Sequence, residues 1–597
     1  MNSDKIQTKR LLIFAFFCLA LLIILLGRLY YIQIREGKEY DRKALNNRTK
    51  IIRTPAPRGT ILDRNGRSVA ENKKSYVIYA VPEELEKDPK SLEIFCNILR
   101  INAGIYYNII KEAKPRPGYP VRIATDVSLE TVAKIGEFRS YLKGVSVENT
   151  YIRSYPMRSI TSHITGYTRE ISREALNKAR EEGKNYKMGD YIGVAGLEKE
   201  YEEYLRGTDG GKKLLVNARG EVVSILKDVP HIEGKTIKTS LDLKVQQAGY
   251  EALKNKVGAA VAIDPRNGEI LAVISAPSYD ANVFVNGLKS SDWQKIRKNK
   301  KHPMQNRFCA SFYPPGSIFK PIIGISLLHN NIAGNNTWVY CPGYFRLGKY
   351  RKGCWATHKS VNFSGAIEKS CDTWFYKESL SLGIDRLSQT AEEFGLGRPT
   401  GIDLPEEPSY HGKSGNFPTR EWHAKIYKSP WTKGNMLNAS IGQGDVQVSP
   451  LQMAAAISAI ANGGTLYEPH IMREIVNPAD GTVIKYKSRS KKVTGDTKDF
   501  ETVRLAMEQC VKRGTGKGCA LPGIRVGGKT GSAQATGGIA HGWFAAFAPV
   551  DEPKIAVVAI VEHGGSGSGA AAPICKAMIK QYLLPELAAA EKEKERK

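Results

Sequence analysis

The stretch Tyr313-Pro-Pro-Gly-Ser-Ile-Phe-Lys320 places a serine and a lysine three residues apart, directly before an apolar run. The Pro-Pro-Gly preceding Ser317 predicts a rigid turn, and the run from Ile322 to Leu328 predicts a buried helix. Residues three apart share one face of a helix, so the Lys320 amine can serve as the base for the Ser317 hydroxyl. The stretch therefore predicts a nucleophilic serine at a helix start, where backbone N–H groups are free.

A second Ser-x-x-Lys pair shows how little the spacing means alone. Ser488 and Lys491 have the same spacing inside a charge run without apolar periodicity, which predicts an exposed loop. Two further motifs, Ser370-Cys-Asp372 and Lys529-Thr-Gly531, follow Ser317 in order. The ordered set of three motifs, and not the first pair by itself, predicts serine acyl-transfer chemistry.

The three motifs resemble those of the penicillin-recognising serine acyltransferases, specifically the membrane-anchored class B penicillin-binding proteins. Secondary motifs extend the resemblance over nearly the whole chain: Arg58-Gly-Thr-Ile-Leu-Asp-Arg-Asn-Gly66, Gly193-Val-Ala-Gly-Leu-Glu198, Thr239-Ser-Leu-Asp-Leu243 and Ser440-Ile-Gly-Gln-Gly444. The resemblance implies a transpeptidase domain of the penicillin-binding and serine β-lactamase-like fold.

The resemblance also implies roles around Lys320. Lys320 must be neutral to act as a base, so its pKa has to be lowered by burial or by a nearby cation, for which Lys529 is the candidate. Ser370 would relay a proton to or from the reacting amine. Position 372 is asparagine in much of the wider family, and an ionised Asp372 near Lys320 would favour the charged lysine.

The third motif is expected to shape the substrate groove. Thr530 and Gly531 would line it, with Gly531 allowing close approach. The backbone N–H groups of Ser532 and Ser317 would form the oxyanion hole, which carries a large part of the rate in such reactions.

The implied reaction is a D,D-transpeptidation that cross-links peptidoglycan stem peptides during cell-wall elongation and shape maintenance. The serine would form an ester with the penultimate D-Ala, an amine of a neighbouring stem would resolve it, and β-lactams would acylate the same residue. A D,D-carboxypeptidase and a non-catalytic β-lactam sensor remain the alternatives.

The N-terminal segment predicts a membrane anchor. Leu11 to Gly27 carries no charge, Arg28 can snorkel, and no small-x-small cleavage site follows, which favours an uncleaved anchor over a signal peptide. Lys5, Lys9 and Arg10 keep the short tail in the cytoplasm. The rest of the chain would then lie outside the cytoplasmic (inner) membrane, in the periplasm. There its formal charge of +28 would either face anionic envelope material or serve solubility, with no nucleic acid as partner.

Composition along the chain predicts four segments: a tail and transmembrane anchor (1–35), an elongated non-catalytic pedestal (36–235), the transpeptidase domain (236–587) and a charged tail (588–597). The fold class is α/β (α+β). Five strand-like runs predict one antiparallel sheet flanked by helices: Ala259–Ile263, Ile270–Ile274, Lys529–Gln534, Gly542–Phe547 and Ile555–Val561. A capped, alanine-rich helix is expected between Ser449 and Asn462.

The spacing of four residues, Cys341, Cys354, His358 and Cys371, suits a tetrahedral structural zinc site. Disulfides are the competing interpretation outside the cytoplasm. The resemblance favours zinc, because elongation-type members of the family carry the metal in this region. It further implies a membrane partnership with a RodA-type glycan polymerase and an MreC-type scaffold, and no organic cofactor.

Overall fold

The computed structural model describes residues 2–40, 49–113, 118–216, 222–285, 290–405, 407–408, 414–535 and 537–595. The chain forms two compact units. One comprises Met1–Pro57 and Gly207–Glu233, and the other comprises Arg58–Arg206 and Gly234–Lys597.

The first unit contains the predicted apolar anchor. An α-helix spans Asn2–Tyr30 and continues as a π-helical turn, Tyr31–Arg35. Among the described residues this is the one helix, within Thr8–Arg35, that is long and apolar enough to cross a membrane, with a mean hydropathy of 2.8. The same unit contains a three-stranded antiparallel sheet in which the middle strand is Gly210–Val216 and the outer strands are Thr49–Thr54 and Val222–Val229.

The second unit begins with a seven-stranded sheet. Its strands follow the order Val483–Lys485, Met472–Val476, Thr236–Thr239, Ile61–Leu62, Ser68–Ala80 and Val121–Thr125, with Val145–Ser154 also paired to Ser68–Ala80. Helices Pro89–Leu99, Ala103–Ala113 and Leu129–Glu137 accompany it, and further helices follow at Arg173–Glu181, Gly196–Glu200 and Glu202–Leu205. Because Thr236–Thr239 pairs with both Ile61–Leu62 and Met472–Val476, this sheet joins the predicted pedestal to the predicted catalytic domain.

A buried ion-pair cluster joins two of the secondary motifs. Glu198 is fully buried and accepts hydrogen bonds from Arg153 Nε at 2.6 Å and Arg58 Nε at 2.5 Å. Arg58 also reaches Glu202 at 2.6 Å, and the Tyr155 hydroxyl lies 3.3 Å from Glu198. Burial alone would raise the pKa of Glu198, but the two arginines lower it below its ordinary value. The cluster ties segments some 140 residues apart.

The catalytic part is built on a five-stranded antiparallel sheet of β1 (Gly258–Ile263), β2 (Ile270–Ala276), β3 (Gly527–Ala533), β4 (His541–Ala548) and β5 (Ile555–Val561), in the order β2-β1-β5-β4-β3. The predicted sheet is confirmed. Strands β1 and β5 are apolar throughout because their side chains alternate between two covered faces, whereas β3 carries the polar third motif. Val261 and Val558 face one core, and Ala260 and Val557 face the other.

Helices cover both faces of this sheet. The predicted helix is confirmed as Pro450–Ala461, with Ser449 as N-cap in a capping box with Gln452. It packs on one face, while helices Leu243–Ala252 and Ala572–Glu595 pack on the other. The remaining helices are Ser290–Lys298, Lys320–His329, Phe363–Glu368, Asp372–Glu393 with a break at Gly383, Arg420–Tyr427, Lys433–Ala439, Thr497–Lys512 and Gly567–Ala570.

Replacing Glu198 by alanine should destabilise the second unit strongly, because Arg153 and Arg58 would remain buried without their shared carboxylate. We expect the free energy of unfolding to fall by about 3–5 kcal/mol, measured by urea denaturation. Glu203→Ala, at an exposed position nearby, is the matched control and should change it by less than about 0.5 kcal/mol. Equal losses in both variants would contradict the proposed importance of the cluster.

Candidate active site

Ser317 lies in a tight turn that is packed against strand β3. A 3₁₀ turn, Gly316–Phe319, leads directly into helix Lys320–His329, as the predicted helix start requires. Gly316 has φ +58°, and a Cβ there would lie 2.8 Å from the Ser532 carbonyl oxygen. A Cβ at Gly531 would lie 3.0 Å from the side chain of Ile318. Glycine is therefore required at 316, and a side chain at 531 would require Ile318 to shift.

Lys320 connects the first and second motifs. Its side chain is fully buried, and its Nζ donates to Asp372 Oδ1 at 2.6 Å, to the Ser370 carbonyl oxygen at 3.0 Å and to Ser370 Oγ at 3.4 Å. These three acceptors match the three donors of an ammonium group. Asp372 begins helix Asp372–Glu393, where the helix dipole favours a negative charge.

Ser370 is held in a strained conformation. Its φ of +55° is the left-handed region that non-glycine residues rarely adopt. The Ser370 carbonyl accepts a hydrogen bond from Trp355 Nε1 at 3.2 Å in addition to that from Lys320. Two donors on one carbonyl compensate the strain of the backbone, and the Ser370 side chain meets Lys320 through its own Oγ.

Lys529 is a second fully buried lysine close to the first. Burial lowers the pKa of Lys529 to about 8, and the nearby Lys320 charge lowers it further, against opposing effects of Cys510 and Asp372. Its Nζ donates to the Thr530 carbonyl oxygen at 3.0 Å. Lys320 thus contacts the partly exposed Asp372 carboxylate directly, and the same carboxylate acts on Lys529 electrostatically.

Thr515 connects the second and third motifs, although no sequence pattern singled it out. Its hydroxyl lies 2.7 Å from Thr530 Oγ1, and its backbone N–H donates to the Glu368 carbonyl oxygen at 3.3 Å. Arg513 adds an ion pair to Glu368 at 3.0 Å. The loop after helix Thr497–Lys512 therefore sets the distance between the two motifs.

The predicted residues meet at a cleft of about 700 Å³. Its wall includes Ser317, Ser370, Asp372, Thr530, Gly531 and Ser532. Lys320 and Lys529 lie behind this wall. The wall also includes Lys352, Trp355, Asn438, Gln443 and Thr515, which the sequence analysis did not assign to the site. Of these, Gln443 lies within the quoted motif Ser440–Gly444, so the sequence did hold a signal for it.

The second Ser-x-x-Lys pair, Ser488 and Lys491, lies outside this cleft. Ser488 is exposed and donates to the Asn267 carbonyl oxygen at 2.9 Å, and Lys491 belongs to the exposed strand Ser490–Lys492. The same Ser-x-x-Lys spacing here does not stand at a helix start.

The four predicted metal ligands lie together beside the second motif. Their ligand atoms are all within 4.8 Å of one another. His358 Nδ1 lies 3.6 Å from Cys341 Sγ and 3.5 Å from Cys354 Sγ, and the Asp372 backbone N–H donates to Cys354 Sγ at 3.3 Å. All nine cysteines of the chain fall within the described residues, and each is a free thiol.

Lys529 should make the protein more stable as the pH rises above about 8. Its pKa in the folded protein is about 8, whereas that of an unfolded lysine is about 10.4. Between these values the unfolded chain binds the extra proton, so the free energy of unfolding rises with pH, by up to about 3 kcal/mol.

The check is the difference in free energy of unfolding between the natural chain and Lys529→Met, measured at pH 7 and pH 10. From pH 7 to pH 10, the free energy of unfolding of the natural chain should rise relative to that of the variant. Lys498→Met, at an exposed lysine, should show no such change. A difference independent of pH for Lys529→Met would contradict the prediction.

Comparison with known proteins agrees with this geometry. Residues 258–580 match the penicillin-binding protein transpeptidase domain, and residues 53–239 match the penicillin-binding protein dimerisation domain. The chain is 32% identical to the peptidoglycan D,D-transpeptidase MrdA of Haemophilus influenzae, over 95% of this chain and 90% of that protein.

Two solved structures share the fold. Penicillin-binding protein 2 in its complex with MreC, from Helicobacter pylori, is 29% identical and superposes with a TM-score of 0.77, covering 90% of this chain and 99% of that one. A chain of a peptidoglycan synthase complex that coordinates polymerization and crosslinking is also 29% identical, with a TM-score of 0.72 and coverage of 96% and 98%. With its transpeptidase and dimerisation domains, the chain belongs to the class B penicillin-binding proteins.

Proposed function

We propose that this protein is a peptidoglycan D,D-transpeptidase that cross-links stem peptides through an acyl-enzyme on Ser317, in cell-wall elongation. The observation that carries the proposal is the buried lysine between two motifs: Lys320 follows Ser317 in the same turn and is hydrogen-bonded to Ser370. The MrdA relative, named for this activity and similar over nearly its whole length, supports it.

The reaction needs a defined path for one proton. Lys320 in its neutral form takes the proton of Ser317 Oγ as that oxygen attacks the penultimate D-Ala carbonyl. The C–N bond to the terminal D-Ala then breaks, and the proton passes by way of Ser370 to the leaving amine. An amine of a second stem peptide attacks the ester, gives up its proton by the reverse path and releases the cross-linked product.

Asp372 is the ion-pair partner of Lys320. The distance from Lys320 Nζ to Asp372 Oδ1 is 2.6 Å. Lys529 is a second cation near the same carboxylate. We assign Lys529 the role of holding the Asp372 charge when Lys320 gives up its proton, while Thr530, Gly531 and the Ser532 N–H line the groove and complete the oxyanion hole.

Loss of Ser317 should abolish acylation. Covalent labelling with fluorescent penicillin is expected on the natural chain, to be absent in Ser317→Ala and to persist in Ser488→Ala, the matched control with the same spacing. Mass spectrometry of the labelled protein should place the adduct on Ser317. Label retained on Ser317→Ala would contradict the assignment.

The acceptor distinguishes this function from the carboxypeptidase alternative. A transpeptidase acting on polymerised glycan strands yields joined muropeptides, whereas a carboxypeptidase yields only shortened monomers. A chain that acylates but forms neither product would support the sensor alternative.

The cysteine and histidine set fits a structural zinc ion, and we assign Cys341, Cys354, His358 and Cys371 as its ligands. With Zn–S distances of about 2.3 Å and Zn–N distances of about 2.0–2.1 Å, tetrahedral geometry implies S···N separations of about 3.6 Å. The two separations at His358 Nδ1 are 3.6 and 3.5 Å. The ion would hold the loop before Asp372, because Cys371 separates Ser370 from Asp372.

Zinc binding should depend on the imidazole ligand. Protein purified without chelator should contain about one zinc per chain by elemental analysis, and His358→Ala should lose most of it and acylate more slowly. His231→Ala, distant in sequence from the set, should keep its metal. Metal-free natural protein with a mapped disulfide within the set would overturn the proposal in favour of oxidised cysteines.

We assign the protein to the cytoplasmic membrane of a bacterium, with the N-terminus inside and residues after about 35 outside, and partition it as 1–35, 36–235, 236–587 and 588–597. Its expected partners are an MreC-type scaffold, as bound by the Helicobacter pylori relative, and a RodA-type polymerase, supported by the likeness to a chain of a polymerising and cross-linking complex.

Membrane co-purification should recover both partners, and exchange of the segment Leu11–Ile34 for an unrelated membrane helix should release the polymerase. Recovery with a division-type polymerase alone would assign the protein to septal synthesis instead.

Protease added to spheroplasts should digest the chain beyond the anchor; complete protection would contradict the orientation.

A further inference from the structure

The segment between the first and second motifs forms two small exposed hairpins. Strands Val339–Cys341 and Lys359–Val361 pair with each other, and strands Tyr344–Leu347 and Tyr350–Gly353 form the second pair. Within the first pair Val339 and Cys341 are buried, whereas Tyr340 between them points outwards. The alternation gives this small sheet an outer face without a covering element among the described residues.

Aromatic side chains are exposed on these hairpins to an unusual extent. The exposed fractions are 62% for Trp338, 65% for Tyr340, 81% for Tyr350 and 62% for Trp355. The chain has seven tryptophans, all within the described residues, and the next most exposed, Trp293, is at 37%. Large exposed rings that recur within residues 338–355 indicate a binding surface, because leaving them in water forgoes their burial energy.

All formally charged side chains in the same segment are basic. No Asp or Glu occurs between Asp292 and Glu368. On the hairpins Arg346, Lys349 and Lys359 are exposed, and Arg351 stacks on the Tyr344 ring at 3.7 Å. A surface with this sign attracts a polyanionic partner.

The hairpins continue into the catalytic cleft. Lys352, Gly353 and Trp355 belong to its wall, and Trp355 Nε1 bonds the carbonyl oxygens of Lys369 at 3.0 Å and Ser370 at 3.2 Å. A molecule that occupies the cleft and extends beyond it on this side therefore meets the exposed aromatic and basic side chains next.

We propose that Trp338, Tyr340, Tyr350, Arg346, Lys349 and Lys359 form an accessory surface that binds the glycan strand from which the reacting stem peptide projects. The inference rests on the proposed function and extends it from the peptide to the polymer. Aromatic rings pack on the apolar faces of sugar rings, and the basic side chains pair with the carboxylates of neighbouring stem peptides. The surface would favour polymeric substrate over isolated peptides.

Binding of the full-length protein in detergent to soluble, uncross-linked peptidoglycan strands tests the proposal. The triple variant Trp338→Ala/Tyr340→Ala/Tyr350→Ala should bind on the order of tenfold more weakly than the natural chain. A matched control replaces three exposed tyrosines elsewhere, Tyr119, Tyr141 and Tyr151, and should bind normally. The charge-reversal pair Arg346→Glu/Lys349→Glu should weaken binding similarly and reduce its salt dependence.

Penicillin acylation separates this inference from the function on which it rests. The triple variant should acylate at the natural rate, which also shows that it is folded, and should be impaired in cross-linking of strands. Equal strand binding by the natural chain and both surface variants would overturn the inference and leave the proposed function intact. Loss of binding to anionic vesicles, with strand binding unchanged, would assign the surface to lipid and also overturn it.

Discussion

The buried ammonium of Lys320 is the interaction on which the geometry of the site depends. A fully buried cation is tolerated only when its donors are satisfied, and here all three acceptors belong to the second motif, at Ser370 and Asp372. Since Lys320 begins the helix that carries the serine turn, satisfying its charge forces the first motif against the second. The strained backbone of Ser370 is the conformational consequence of this requirement.

The third motif is held against the first two by a different kind of constraint, the absence of side chains. Gly316 and Gly531 allow the serine turn and strand β3 to come closer than any Cβ would permit. Thr515 then links Thr530 to the end of the helix ahead of Ser370. The hydrogen bonds of Lys320 position the second motif on one side of the cleft. Close backbone packing positions the third motif on the other side, so the two sides respond differently to substitution.

The pedestal is also organised around a buried charge with satisfied partners. Glu198 is a buried anion shared by two arginines, and it joins the motif around Arg58 to the motif that ends at Glu198. Strand Thr236–Thr239 links this part to the catalytic part in one sheet. In this chain the dimerisation domain and the transpeptidase domain are therefore joined by backbone hydrogen bonds within one sheet. They are also joined covalently, through the residues between 239 and 258.

The sequence by itself determined the ordered motifs, the five strands of the central sheet, the capped helix at Pro450 and the apolar N-terminal helix, because each depends on neighbouring residues or on a strict local period. It also grouped Cys341, Cys354, Cys371 and His358, because they lie close together along the chain with a spacing typical of metal ligands. Only the tertiary structure decided that Thr515, Trp355 and Lys352 border the cleft. They reach it from separate loops and strands, and no local pattern records a contact made across the fold. The same holds for the exposed face of Trp338 and Tyr340, since an aromatic residue in a short strand reads as core until the structure shows that nothing among the described residues covers it.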